Sequence, residues 1–309
     1  MKLLKKRIKD YLLPTSYEAS VIANNKQLFH IAAMQMKNQT LNSHIPGITN
    51  EQYTDAEVVV SLTTYSKRLY EVYLTIESIM QGTLKPNRIV LWLEDNLKNT
   101  VIPIYLQRQM ARGLEIQFYK DIRSYKKLIP SLKLYPKSII VTIDDDAIYE
   151  PDLLEKLVNA YNMDKHHIYA NRVSRIELND NYKPKEYSTW SIVKETGASP
   201  LNFFTGVGGV LYPPNCFCDE VLNEDVFQTI APYGDDIWFY TMSLLNGYTV
   251  YKVYTHDANG NDFFVNESVQ DISLYHKNIE GEKLNDTQIK AVFDKYNIYK
   301  LLKPCNTHQ

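Results

Sequence analysis

The run Ser138-Ile139-Ile140-Val141-Thr142-Ile143-Asp144-Asp145-Asp146 decides the fold. Residues 139–143 are apolar or β-branched without a break, which suits a strand covered on both faces in a parallel sheet. Three carboxylates at the exit of such a strand need compensation, because unpaired charge beside a core is costly. A divalent metal is the simplest compensation, and ligands of open α/β sheets sit at the carboxyl ends of the strands, where these acids fall. Alternation along an extended chain points Asp144 and Asp146 one way and Asp145 the other. The competing reading is that the acids only cap the next helix. Pro151 suits the first turn of that helix, and Leu153, Leu154, Leu157, Val158 and Tyr161 form its apolar stripe. Asp146 lies five residues ahead of Pro151, so Glu150 is the expected N-cap.

Working outward, residues 57–62 read as a buried strand. The helix after it carries Val72, Ile76, Ile79 and Met80 on its apolar side and closes at Gly82. Strands at 88–93 and 115–119 flank a helix at 103–112. This β-α-β-α-β-β-α order predicts an α/β fold with a mainly parallel, twisted, doubly wound sheet flanked by helices. Beyond His167 the regularity fades. Residues 168–173 read as a strand, 176–200 as a polar loop, and 203–212 as an apolar stretch broken by Gly206, Gly208 and Gly209. A helix over 236–246, a strand over 248–254 and an amphipathic helix over 285–302 complete the chain. The expected organisation is an N-terminal helical extension (1–50), a catalytic domain (51–275) and a C-terminal helical tail (276–309).

The composition is that of a globular protein: 309 residues, 44% hydrophobic and 23% charged, with a net charge of −2. Nothing in it points to nucleic acid. The three cysteines give no metal or disulfide framework, since Cys216-x-Cys218 is too close for a zinc knuckle, and a reducing compartment fits. No apolar run reaches the length of a membrane span. Residues 1–14 alternate Leu-Leu with Lys-Lys-Arg, which suits either a basic amphipathic helix on an anionic membrane or a helix docked on the core.

Three segments together resemble a glycosyltransferase of the GT-A fold, close to the bacterial family 2-like group. Residues 59–68 (VVSLTTYSKR), with 75–81 (TIESIMQ) and 85–90 (KPNRIV), are similar to that group's first strand, helix and second strand. Ile143-Asp144-Asp145-Asp146 resembles its Asp-x-Asp motif, and residues 233–239 (YGDDIWF) resemble its acidic catalytic-base segment. The resemblance spans roughly residues 57–260, and the order and spacing of the three segments make it specific.

The resemblance implies a Rossmann-like GT-A domain and a metal-dependent, inverting transfer of sugar from a nucleotide-sugar donor, with a UDP-sugar favoured. The acceptor would be a glycan or lipid-linked molecule in surface polysaccharide synthesis; the basic N-terminus and the lack of a secretory signal fit a cytoplasmic enzyme working at the inner membrane face. Mn²⁺ or Mg²⁺ would neutralise the leaving diphosphate. Such hard ions take one or two carboxylates plus substrate phosphates. Asp146 is then the expected metal ligand, Asp144 a second ligand or ribose contact, and Asp145 a contact to the donor sugar or a metal-bound water. His256 is the expected late metal ligand, with His276 as the alternative.

Asp236 is the expected general base. Asp235 would cap its helix, and is the second candidate for base. Thr63, Thr64 and Tyr65 would meet the nucleotide, Arg68 and Lys127 the diphosphate, and Asp95 the base of the nucleotide. Trp190 and Trp238 could stack on an acceptor sugar. Two other classes would also use an acid cluster. One is a sugar-nucleotide nucleotidyltransferase or metal-dependent phosphohydrolase; the nucleotidyltransferase would be expected to carry a Gly-rich basic loop where this chain has residues 62–66 (LTTYS). The other is a non-catalytic sugar-binding relative.

Overall fold

A computed structural model describes residues 16–272 and 283–302, with side chains from residue 25 onward. The basic segment 1–14 and His276 lie outside the described residues. Helix α1 (Ser16–Asn42) leads into an alternation of strands and helices. These are β1 (Val58–Thr63), α2 (Tyr73–Met80), β2 (Arg88–Glu94), α3 (Ile104–Met110), β3 (Leu114–Tyr119), α4 (Ile129–Leu134), β4 (Ile139–Thr142), β5 (Ala147–Tyr149) and α5 (Leu153–Met163). Shorter pieces follow: β6 (His167–Ala170), β7 (Val173–Arg175), β8 (Ser191–Ile192), β9 (Gly197–Ser199), β10 (Asn202–Phe204) and β11 (Val210–Tyr212). The chain closes with α6 (Glu224–Ile230), α7 (Asp235–Leu245), β12 (Thr249–Lys252), β13 (Phe263–Val265) and α8 (Leu284–Tyr296).

Eight strands form one sheet in the order β3-β2-β1-β4-β11-β6-β12-β9. The pairs β2–β3, β1–β2, β1–β4 and β6–β12 are parallel, as βα alternation requires. The expectation of a mainly parallel α/β sheet holds for the first half. The second half is mixed, because β11 runs antiparallel between β4 and β6, and β9 antiparallel on β12.

Period-two alternation sorts the central strands between two cores, one on each face. Val59, Val90 and Ile140 join the core beneath α7 and α8, with Phe239 and Phe293. Val58, Val60, Leu62, Val141 and Ile143 join the core beneath α2 and α5, with Ile76 and Leu157. Helix α1 belongs to this second core: Met36 is buried in it, and Phe29, Ala32 and Ala33 pack against it. Residues 29–36 of the extension expected at 1–50 therefore pack on the same body.

The topology sets where a site can form. The parallel strands β1, β2 and β4 deliver Thr64, Glu94 and Asp144 to one edge of the sheet. Val210 of the antiparallel β11 pairs with Thr142, so the turn just before β11 meets the acids just after β4. Gly209, at φ +84°, supplies the left-handed residue that turns the chain into β11. Helix α5 starts at Leu153, two residues later than Pro151 suggests. Asp152, not Glu150, is its N-cap residue, and that side chain makes no capping bond. It is held instead by Lys156 and His256.

Candidate active site

A cleft of about 1180 Å³ opens at this edge. Of the residues expected at a site, Thr63, Thr64, Tyr65, Arg68, Lys127, Asp144, Asp145, Asp146, Trp190, Asp235 and Asp236 line it. They fall into two charge groups on either side of the acid turn.

The first group is centred on Arg68. Its Nη1 lies 2.8 Å from Asp145 Oδ1 and its Nη2 3.0 Å from Asp146 Oδ2, with Val269 O accepting from the same fork. Thr64 Oγ1 also donates to Asp145 Oδ2 at 2.6 Å. Gln270 Nε2 donates to Asp146 Oδ2 at 2.7 Å. Alternation placed Asp144 with Asp146; the structure instead puts Asp145 and Asp146 on one cation. The strand ends at Thr142 and the chain turns at residues 145–146, so the period of two no longer applies. Burial pushes Asp145 up to about 6 even though Arg68 pulls the other way. Burial also raises Asp146; Arg68 opposes this and the negative charge of Asp144 adds to it.

The second group is centred on Lys127, a buried ammonium. Its Nζ lies 2.8 Å from Asp144 Oδ1 and 3.1 Å from Asp235 Oδ2. Burial works against this charge, but Asp144, Asp235 and Asp236 outweigh it and hold the lysine well above its ordinary pKa. Asp235 was expected to cap α7. Gly234 occupies the N-cap position, and Asp235 turns inward to Lys127 and accepts from Ser124 Oγ at 2.8 Å. Asp236 Oδ2 accepts the Gly206 backbone N–H at 2.9 Å, and its buried Oδ1 has no hydrogen-bond partner. Burial, with the charge of Asp235 added, pushes Asp236 up to about 7 against the pull of Lys127. A carboxylate with a free oxygen and that pKa can take a proton near neutral pH.

Tyr149 connects the groups. Its hydroxyl accepts the Asp144 N–H at 3.0 Å and donates to Val207 O at 2.9 Å, tying the acid turn to the glycine turn at 206–208. Tyr149, Ser124 and Gln270 are not among the residues expected at the site, and Gly206 is expected only as one of a glycine run that lets the backbone approach a sugar or bulges a core strand. The first three sit in short elements with no motif. The glycines of 203–209 were visible, but their neighbours were not.

Other expected residues lie elsewhere. His256 does not meet the acids: its Nε2 is 2.7 Å from Asp152 Oδ2, its ring is largely exposed, and its loop is folded back by Asp262, which accepts its backbone N–H. Asp95 pairs with Lys98 at 2.6 Å outside the cleft lining. Trp238 is wholly buried, with Nε1 donating to Val221 O, so it can meet no acceptor. Trp190 does reach the cleft, against Tyr187 at 4.9 Å between ring centroids.

Among the described residues no three His, Cys, Asp or Glu side chains converge as a metal cage. The donor set offers Asp144 and Asp146, close enough for one charge to raise the other's pKa, each already held by a cation. This fits a hard divalent ion that arrives with substrate phosphates and needs only one or two carboxylates.

No family model and no curated protein matches this chain. Among solved structures, residues 1–349 of TarS from S. aureus superpose with a TM-score of 0.43 at 13% identity, over 65% of this chain and 58% of that one. The same protein in complex with UDP gives 0.42 at 14% identity, over 64% and 60%. The match thus spans about three-fifths of the TarS chains. The inositol-1-phosphate CTP transferase from T. maritima gives 0.42 at 10% identity, over 78% of this chain and 98% of that one.

Proposed function

We propose that this protein is a glycosyltransferase that moves a sugar from a nucleotide-sugar donor, a UDP-sugar favoured, to a glycan or lipid-linked acceptor. The observation that carries the reading is the unpartnered, buried Oδ1 of Asp236, a residue that lines the same cleft as the acid turn, with Lys127 paired to Asp144 beside it. The acceptor hydroxyl gives its proton to Asp236 Oδ1 as its oxygen bonds to the anomeric carbon. The bond from that carbon to the diphosphate breaks, and the nucleoside diphosphate leaves from the opposite face, so the configuration inverts.

A bound Mn²⁺ or Mg²⁺ would offset the charge growing on the diphosphate, and Asp146 and Asp144 are the residues to hold it. Arg68 and Lys127 now neutralise these acids. With donor present they can turn their charge to the phosphates, Arg68 through its planar fork. Thr63, Thr64 and Tyr65 border the end where the nucleotide would lie.

Calorimetric titration of UDP-, GDP- and CMP-sugars, with Mn²⁺ and with EDTA, tests this directly. Metal-dependent binding of one donor, lost in Asp146→Ala, supports it. Failure of every donor to bind, with or without metal, would sink it and favour a phosphohydrolase or an inactive relative.

A further inference from the structure

Helix α1 has two apolar faces. One, with Phe29, Ala32, Ala33 and Met36, is committed to the core. On the other side Leu28, Ile31, Met34 and Leu41 recur at helical spacing and are 41–62% exposed. Scattered exposed apolar residues need no account, but a row of them on one helix face marks a surface that meets something.

Charge says what it meets. Residues 19–50 contain no Asp or Glu, in a chain with 36 acids. Residues 1–37 carry seven Lys and Arg against only Asp10 and Glu18, a net of +5, while the whole chain is −2. Lys26 and Lys37 are exposed on the helix itself. Glu71, Asp257 and Glu267 also line the groove beside it, but α1 itself carries no acid beyond Glu18, and an apolar row flanked by Lys26 and Lys37 matches an anionic bilayer, into which apolar side chains sink while lysines meet the headgroups. No described helix is long and apolar enough to cross a membrane, so contact of this kind lies along the surface.

The face is also well placed. Ile31 and Met34 line a groove of about 1320 Å³ between α1 and β13, and Phe263 and Val265 of β13 border the active-site cleft as well. The row and the cleft are therefore separated by a single strand.

We propose that the outward face of α1, centred on Ile31 and Met34, docks this protein on an anionic membrane surface. The protein of residues 1–309 would be sedimented with vesicles of phosphatidylcholine alone and with vesicles that also contain phosphatidylglycerol, at low and raised salt. The expected result is binding to the anionic vesicles that weakens with salt. The double variant Ile31→Asp, Met34→Asp should bind roughly tenfold more weakly or worse. Its thermal melt should match the parent, since both side chains are exposed. Parent-like binding by the variant overturns the proposal, and so does binding that ignores phosphatidylglycerol. A concentration-dependent dimer abolished by the variant, with no vesicle binding, also overturns it and gives the face to a second copy.

Discussion

The backbone N–H of Gly206 donates to Asp236 Oδ2 at 2.9 Å, so a glycine in a turn positions the carboxylate proposed as the base. The same glycine is where three charged groups crowd. A Cβ at position 206 would lie 2.6 Å from Lys127 Nζ, 3.1 Å from Asp236 Oδ1 and 3.4 Å from Asp144 Oδ1. Lys127 can yield, being the end of a flexible chain, but only by leaving its acids. Gly206→Ala should therefore cut transfer about a hundredfold through misplacement while costing roughly 1–3 kcal/mol of stability. Initial rates and urea melts check this; an unchanged rate would show that the crowding does not matter.

Asp236 carries the pH dependence. Burial and the charge of Asp235 push its pKa up to about 7, from an ordinary carboxyl value of 3.8. A base must be ionised, so the transfer rate should climb as pH rises through about 7. Stability runs the other way: between the two pKa values the folded state holds a proton that the unfolded chain has lost. This residue's contribution is therefore present at low pH and lost as pH rises through about 7. Asp236→Asn keeps an acceptor for Gly206 N–H and stays neutral. It should abolish transfer yet melt higher than the parent at pH 8, with the difference vanishing near pH 4. Thermal melts across that range decide it.

Tyr149 offers a one-atom test of how the two turns are held. Tyr149→Phe removes both the acceptor for Asp144 N–H and the donor to Val207 O from a buried position. The groups left unsatisfied should cost about 1–3 kcal/mol. Because the hydroxyl holds the acid turn against the glycine turn, kcat should fall more than donor affinity changes. A variant with full kcat and reduced stability would confine Tyr149 to folding.

How much of this was legible follows from length and periodicity. The apolar and β-branched run 139–143 and its acids announce the central strand and its carboxyl end, because a strand buried on both faces leaves a continuous signal. Strand β11, three residues long and preceded by Gly206, Gly208 and Gly209, has no such signal, although it brings the glycine turn to the acids. Side-chain direction was legible only as far as the strand runs. Past Thr142 the turn gives Asp145 and Asp146 to Arg68 and leaves Asp144 to Lys127. Partners that arrive from distant segments, such as Asp152 for His256, have no local trace.

One buried acid adds a polar anchor to the apolar packing of α1 on the body. Glu77 of α2 is fully buried and accepts from Arg112 Nη1 at 2.9 Å, from Gln109 Nε2 at 3.1 Å and from Thr40 Oγ1 of α1 at 3.1 Å. Arg112 Nε also donates to Ile45 O at 2.7 Å, holding the segment after α1. Removing one partner leaves the other charge stranded, so Arg112→Met should cost roughly 3–5 kcal/mol. Replacing both, as in Glu77→Met, Arg112→Met, should recover much of that loss, because the desolvation of two ions disappears with them. A double-mutant cycle by chemical denaturation measures the coupling. Additive single losses would mean that the two side chains act independently and that the docking of α1 does not depend on their pairing.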